Sequence, residues 1–76
     1  MTKEQEQLLK IVTTKMPFGK YEGRILADLP VSYLEWFNRK GFPKGILGTQ
    51  LSLVLTLKSN GMEDIIYGLK KVARNG

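Results

Sequence analysis

The chain contains no cysteine and no histidine. Without cysteine, neither a disulfide nor a thiolate metal site can form. Without histidine, the chain lacks the commonest metal ligand in proteins and the commonest general base in enzymes. The absence of cysteine also fits a reducing compartment. The composition therefore argues against a stapled secreted fold and against catalysis that depends on histidine.

The sequence also lacks a long hydrophobic run. Its most apolar stretch, ILGTQLSLVLTL, is too short and too polar to span a bilayer. The first ten residues, MTKEQEQLLK, do not contain the apolar segment of a signal peptide. We therefore expect a cytoplasmic protein with no membrane partner. The length predicts one domain, residues 1–76, with a thin core that buries roughly 60% of the unfolded chain's surface.

Positive charge exceeds negative charge. Twelve Lys and Arg against seven Asp and Glu give a net charge of +5 and an isoelectric point near 9.7. Such a surface favours polyanions, which include nucleic acid, anionic lipid and acidic proteins. A basic surface that serves only solubility is the alternative that charge alone leaves open.

Helical signals occur at both ends of the chain. Thr2 is placed to cap a helix, with Gln5 completing a capping box, and this helix should end near 13–14. At the other end, Glu63 and Asp64 precede an amphipathic segment whose last turn is basic, which suits the helix dipole. Its apolar positions have helical spacing: Met62, Ile65, Ile66, Leu69 and Val72.

The segment from residue 16 to residue 29 predicts a β-hairpin. Met16–Phe18 has the pattern of a short edge strand, because Pro17 cannot donate a ladder hydrogen bond. The following GKYEG is bounded by glycines, which can adopt the positive φ angles of a tight turn. RILADL then predicts the returning strand. Because an isolated hairpin is barely stable in water, we expect it to pack on helices.

Two further helices are expected. Asp28 is placed to cap the first, with Pro30 in its first turn, and Gly41 ends it. The alternation of leucines within residues 50–58 also fits a strand. The length of the segment from Leu47 to Ser59, and the preference of leucine for helices, favour a helix that Asn60 and the next glycine end. The predicted fold class is therefore α+β: an N-terminal helix, then a two-stranded antiparallel hairpin packed on three further helices.

No set of residues suggests a catalytic site. The carboxylates each fit a simpler role in a turn, a cap or an exposed helix face, so a two-metal site is not expected. The serines have no histidine to activate them. We therefore expect no enzyme activity, no catalytic residue, no metal and no cofactor. The carboxylates considered as metal ligands are Glu22, Asp28, Glu35, Glu63 and Asp64.

The aromatic residues fall into two groups. Tyr33, Trp36 and Phe37 have helical spacing, which is more typical of a core than of a base-stacking surface. Phe18 and Tyr21 flank Lys20 in or beside the predicted turn, so at least one of them should be exposed. An exposed aromatic ring beside a cation is the usual combination for gripping single-stranded nucleic acid.

The central stretch also resembles a known family. MPFGKYEGRILADLPVSYLEWFNRKGFPKGILG, followed by LKSNGME, is similar to a bacterial family of small proteins labelled quorum-sensing-regulated virulence factors. The resemblance covers residues 16–64. The label implies regulated expression and names no activity. Met62 stands where the family pattern has leucine.

The first half of this stretch, 16–37, also looks like the small C-terminal domain of exodeoxyribonuclease X-like exonucleases. In those enzymes it is appended to a catalytic domain with an acidic metal site, which this chain lacks. The resemblance therefore implies an accessory nucleic-acid-binding or interaction role without nuclease activity. The matching positions are Pro17, Phe18, Gly19, Lys20, Gly23, Leu29, Pro30, Tyr33, Leu34, Trp36 and Phe37.

Charge, aromatic pattern and resemblance together predict a non-catalytic nucleic-acid-binding domain. Lys20, Arg24, Lys40 and Lys44 are expected to contact phosphates of DNA or RNA, and Tyr21 is expected to stack on a base. The alternative is a protein-interaction or regulatory module that uses its aromatic and leucine-rich helices. The oligomeric state is left open between monomer and homodimer.

Overall fold

The computed structural model describes residues 2–75 and shows a helical protein, with no strand within that range. Its helices are α1 (Lys3–Lys10), α2 (Val31–Lys40), α3 (Ile46–Ser59) and α4 (Glu63–Asn75), and a short 3₁₀ turn spans Leu26–Asp28. The predicted α+β class is therefore wrong. The predicted domain range 1–76 stays a prediction, and its two end residues, Met1 and Gly76, lie outside the described residues.

Helix α1 begins as predicted. The Gln5 backbone N–H donates to Thr2 Oγ1 at 3.2 Å, and the Thr2 N–H donates to Gln5 Oε1 at 3.1 Å, which completes the capping box. The regular helix ends at Lys10, three residues earlier than the sequence suggested. Tighter turns follow, in which the Val12 N–H donates to the Leu9 carbonyl at 3.1 Å.

The predicted hairpin is replaced by a closed loop. The Met16 N–H donates to the Arg24 carbonyl at 2.8 Å, and the Gly23 N–H donates back to the Met16 carbonyl at 2.8 Å. Within the described range, the only β-type pairing is one isolated antiparallel bridge between Lys15 and Ile25. The ends of the loop therefore meet as in a hairpin, but the pairing does not extend into strands.

Burial explains why RILADL does not form the returning strand. Leu26, Ala27 and Leu29 are all buried, whereas a strand would direct neighbouring side chains to opposite faces. A 3₁₀ turn places them together, and the Ala27 N–H donates to the Ile11 carbonyl at 2.9 Å. The need to bury three nearly consecutive apolar side chains on one core thus outweighs the period-2 pattern.

Helix α2 begins directly after Pro30, and no side chain caps it. The prediction that Asp28 caps this helix is wrong, because its carboxylate forms an ion pair with the Lys70 ammonium of α4. The C-terminus is as predicted: Gly41 has φ 105°, and its N–H donates to the Phe37 carbonyl. Such a backbone conformation favours glycine.

Helix α3 confirms the choice of helix over strand for residues 50–58. Leu51, Val54 and Leu57 are buried at helical spacing. The expected stop is also present, since Asn60 caps the helix and Gly61 follows with φ 68°. The alternating leucines are therefore divided between buried and half-buried positions of one helix.

Helix α4 starts with Glu63 and Asp64, as predicted, and contacts α1 and α3. Ile66 is its buried core residue. The core is one cluster to which every helix contributes contacts; its fully or nearly fully buried members are Ile11, Val12, Met16, Leu26, Ala27, Leu29, Leu34, Phe37, Leu51, Val54, Leu57 and Ile66. None of the helices within residues 2–75 has the length and apolar character needed to cross a membrane.

Candidate nucleic-acid interface

A continuous series of aromatic rings connects the 15–25 loop to α2 and to the loop after it. The centroids of Tyr21 and Tyr33 are 4.7 Å apart, and those of Tyr33 and Phe37 are 5.1 Å apart, both in edge-to-face geometry. Trp36 contacts Phe37 edge to face at 5.1 Å, and Phe42 stacks on Phe37 at 6.4 Å. Such pairs stabilise beyond the area that they bury, so they fix the loop on the helix.

Three rings of this series line a surface pocket of about 330 Å³. Its lining combines the loop tip with the first two turns of α2: Lys20, Tyr21, Ser32, Tyr33 and Trp36. Two residues that the sequence placed in the predicted site, Lys20 and Tyr21, therefore share a concave surface with the helix. This surface, defined by those five residues, is called the loop–helix pocket below.

Among the three aromatic residues of α2, Trp36 differs most from the prediction that all of them lie in the core. Its side chain is 45% exposed, whereas Phe37 is buried and Tyr33 is half-buried. The core direction of α2 is set by Leu34 and Phe37, and a helix advances about 100° per residue. Trp36 thus lies about 130° from the middle of the buried face, by the same helical rotation. A helical projection centred on these two residues would have shown this.

The ring of Tyr21 has three close neighbours. Lys20 Nζ lies 5.6 Å from the ring centroid and Arg24 Cζ lies 5.2 Å from it, both within cation–π range. The edge-to-face contact with Tyr33 adds a third neighbour. The structure therefore brings Lys20, Tyr21 and Arg24 into one cluster, with both cations near the Tyr21 ring. Phe18, beside it, is exposed, as expected for at least one of the two loop aromatics.

Gly19 explains how closely the loop approaches α2. It has φ 81°, and a β-carbon at this position would lie 3.2 Å from Tyr33 Oη. Burial raises the pKa of the Tyr33 phenol, and the nearby Tyr21 adds to that effect. Both effects favour the neutral form of the Tyr33 phenol.

Lys40 and Lys44 lie outside the loop–helix pocket. Lys40 is the last residue of α2, four residues after Trp36, which places it on a neighbouring position about 6 Å further along the helix. Lys44 lies in the loop between α2 and α3. The structure therefore places Lys40 next to the pocket's exposed tryptophan, and it places Lys44 beyond the end of the helix.

The cations of this surface are not neutralised by carboxylates. Within the part of the chain that the structure describes, the one ion pair joins Asp28 to Lys70, on the side formed by α4. Lys20, Arg24 and Lys40 take no part in it. Glu22 lies in the same loop and lowers the net charge there, but it makes no ion pair within residues 2–75.

The carboxylates considered as metal ligands do not come together. Among residues 2–75 there is no group of three or more Asp or Glu side chains that could hold a metal ion. Asp28 forms an ion pair with Lys70. Glu63 and Asp64 occupy the first turn of α4. The absence of catalytic activity stays a prediction.

Two residues of the loop–helix pocket were missed from the sequence as candidates for a site. Trp36 was assigned to the core, and Ser32 was considered only as a nucleophile. The signal for Trp36 was available in the helical projection described above. Ser32 gave no signal, because its place beside Lys20 depends on how the loop folds back on α2.

Comparison with known proteins establishes the family. Residues 4–69 match the family model described as "Putative quorum-sensing-regulated virulence factor". The chain therefore belongs to this family, as the central motif suggested. Proteins from Escherichia coli strain K12 and from Escherichia coli O157:H7, both named "Uncharacterized protein YpeB", are each 49% identical over 69 residues. These matches cover 90% of this chain and 96% of each relative.

No solved structure gives a significant match to the chain. The resemblance of residues 16–37 to the exonuclease accessory domain stays a prediction.

Proposed function

We propose that this protein is a cytoplasmic, non-catalytic domain that binds single-stranded nucleic acid through the loop–helix pocket. The observation that carries the proposal is the position of Trp36, which is partly exposed at the wall of a pocket that also contains Lys20. An aromatic face and a cation at one concave site provide stacking for a base and a contact for its phosphate.

Trp36 suits the stacking role better than Tyr21, to which the sequence assigned it. The Tyr21 ring already contacts Lys20, Arg24 and Tyr33, so it serves to position the two cations. Within residues 2–75, the indole of Trp36 has one aromatic neighbour, Phe37, which meets it edge to face. A base that enters the pocket would therefore stack on Trp36, and Lys20 would contact the adjoining phosphate.

The arrangement of cations supports a strand that crosses the pocket. Lys20 and Arg24 lie on the loop side, and Lys40 follows Trp36 by one helical turn. A backbone passing over Trp36 would thus meet positive charge before and after the stacked base. Stacking on the indole requires a base that is not held in a duplex, so we expect single strands to bind more tightly than duplexes. Lys44 would extend the same path.

The resemblance to the exonuclease accessory domain supports this proposal, because it covers the loop and the first part of α2. In the proposed role the domain supplies binding, and any chemistry on the nucleic acid belongs to a partner enzyme. The family description refers to regulated virulence and names no ligand.

The test is a fluorescence-anisotropy titration of labelled single-stranded and double-stranded DNA and RNA with the purified protein, at several salt concentrations. About four phosphate contacts on a single strand predict that log affinity falls with log salt with a slope near −3. Lys20→Glu should weaken binding and reduce the magnitude of the slope by about one.

Lys3→Glu is the matched control, because it makes the same change of charge at the exposed start of α1. It should leave most of the binding intact. Trp36 is the chain's single tryptophan, so its own fluorescence should be quenched by a stacking base. Absence of binding at low salt, or equal losses in Lys20→Glu and Lys3→Glu, would overturn the proposal.

The alternative, a protein-interaction module, would need a surface other than the leucines of α3. The leucines of α3 do not form an exposed patch: Leu51 and Leu57 are buried, and Leu53 and Leu55 are half-buried against the core. The exposed apolar side chains that remain in a row lie on α4 or directly before it: Met62, Ile65 and Val72.

A further inference from the structure

Phe18 is an exposed aromatic residue to which the proposed site assigns no role. Its side chain is 44% exposed, close to the value for Trp36. Within residues 2–75 its ring pairs with no other aromatic ring, and it is not among the side chains that pack against the core. The fold therefore leaves the ring of Phe18 accessible to a ligand.

Phe18 lies at the edge of the loop–helix pocket. The next residue, Gly19, approaches α2 so closely that a β-carbon on it would lie 3.2 Å from Tyr33 Oη. The residue after that is Lys20, which lines the pocket together with Trp36. Two residues of chain span at most about 7 Å, so the α-carbon of Phe18 is no further than that from the α-carbon of Lys20. Lys20 is therefore close to two exposed rings, Phe18 on the loop and Trp36 on the helix.

The charges around Phe18 favour a nucleic-acid strand over an apolar protein surface. The 15–25 loop carries three exposed cations, which are Lys15, Lys20 and Arg24. Glu22 is its one carboxylate, and none of these four groups forms an ion pair within the described residues. An apolar partner that covered the ring would take water from unpaired charges beside it, which is unfavourable. A single strand would instead bring a phosphate to the cations and a base to the ring.

We propose that Phe18 is a second stacking residue, so that the site takes two consecutive unpaired nucleotides of one strand. The second position presupposes a base on Trp36, and thus rests on the function proposed above. With one base on Trp36 and the adjoining phosphate on Lys20, the next nucleotide lies on the Phe18 side of that cation. Its base would stack on the phenylalanine ring, as successive bases of a single strand stack on successive aromatic side chains.

The chemistry of the ring sets the class of ligand. A phenylalanine ring offers a base a stacking face and no hydrogen bond, and every base has a face that can stack. The second position should therefore accept all four bases. The ligand is a stretch of at least two unpaired nucleotides, and a single nucleotide occupies only half of the site.

The test compares two ligands that have the same phosphates and differ by one base. The first is a thymidine dinucleotide phosphorylated at both ends. The second replaces one of its nucleotides by an abasic sugar, at the 5′ or the 3′ position, and the tighter-binding version is the comparator. Each ligand is titrated into the purified protein and followed by NMR. The single tryptophan gives one indole N–H signal, and the assigned ring protons of Phe18 report the second position.

Both ligands should shift the indole signal of Trp36, and only the dinucleotide should shift the ring protons of Phe18. The dinucleotide should bind about tenfold more tightly than the abasic comparator, as expected for one further stacked base. Phe18→Leu keeps an exposed apolar side chain without the ring, so it should remove this difference and leave the affinity of the comparator unchanged.

Two further variants serve as controls. Phe18→Tyr retains an aromatic ring and should retain the tighter binding of the dinucleotide. Tyr67→Leu removes an exposed ring from α4, away from the loop, and should bind both ligands like the wild type. Circular dichroism should show the same helical content in all three variants.

The outcomes separate the second position from the pocket itself. A dinucleotide that binds no more tightly than the comparator, or equal losses for both ligands in Phe18→Leu, would overturn the role of Phe18. A shift of the Trp36 indole in the same experiment would then leave a pocket for one base, as proposed above. No indole shift with either ligand or with a longer single strand would overturn both proposals.

Discussion

Gly48 of α3 lies directly against the carbonyl oxygen of Pro43. A β-carbon at position 48 would come within 1.8 Å of that oxygen and within 3.4 Å of the Phe42 β-carbon. Any side chain at this position would collide with backbone, which cannot rotate away. The close approach holds the loop between α2 and α3 on the helix, and with it the Phe42 ring that stacks on Phe37.

We therefore predict that Gly48→Ala lowers the free energy of unfolding by about 3 kcal/mol, because the loop must move away from α3. Gly68→Ala is the matched control. Gly68 lies within α4, and a β-carbon there would meet no atom within 4 Å. Better helix propensity should make this variant more stable by about 1 kcal/mol. Urea unfolding followed by circular dichroism measures both, and a tolerated Gly48→Ala would contradict the packing.

The proposed stacking role of Trp36 predicts a large effect on binding with a small effect on folding. Trp36→Leu keeps an apolar side chain but removes the stacking face, so single-stranded DNA should bind about 10- to 100-fold more weakly, given about 1–3 kcal/mol per stacked base. Tyr67→Leu removes a more exposed aromatic ring, on α4, and should leave the affinity unchanged. Anisotropy with a labelled oligonucleotide distinguishes them, and similar affinities of the two variants would exclude Trp36 as the stacking residue.

Lys58 predicts a dependence of stability on pH. Its Nζ donates to the Leu29 carbonyl at 2.7 Å. Burial at this position lowers the pKa of the ammonium group. Among the nearby charges, Asp28 raises this pKa, Lys70 lowers it further and Glu63 raises it. Because the folded-state pKa lies below the unfolded value of 10.5, the unfolded chain binds more protons in the interval between them. The contribution of Lys58 to stability should therefore increase as the pH rises through the lowered pKa, and become constant above 10.5.

The difference in unfolding free energy between the wild type and Lys58→Met isolates this effect, because all other titrating groups are common to both. Urea unfolding at neutral and alkaline pH should show the wild type gaining stability relative to Lys58→Met. A difference that does not change with pH would show that the surroundings do not lower the pKa of the Lys58 ammonium group.

Short-range signals in the sequence were sufficient wherever a few neighbouring residues control the backbone. The Thr2–Gln5 capping box is a pair of hydrogen bonds across three residues, and it forms as expected. Gly41 and Gly61 adopt positive φ at the two predicted helix ends. Length and leucine content correctly indicated helix for α3. These features need no distant partner, so the sequence alone indicates them.

Predictions from local sequence patterns were wrong where contacts between residues far apart in the chain determine the structure. Arg24–Leu29 has the local pattern of a strand, but the core beside Ile11 takes Leu26, Ala27 and Leu29 together, and a 3₁₀ turn is the geometry that allows it. The local sequence predicts Asp28 as a helix cap, but the fold places Lys70 of α4 beside its carboxylate, and the two form an ion pair.

The sequence by itself determined the four helices, most of their ends and the residues that form the basic aromatic loop, because caps, glycines and apolar spacing act within a few residues. Only the tertiary structure decided that this loop closes onto α2 without strands, that Trp36 faces outward beside Lys20, and that Ile65 and Val72 of α4 stay exposed. The physical reason is that burial depends on which helix faces cover one another, and residues far apart in the chain settle that.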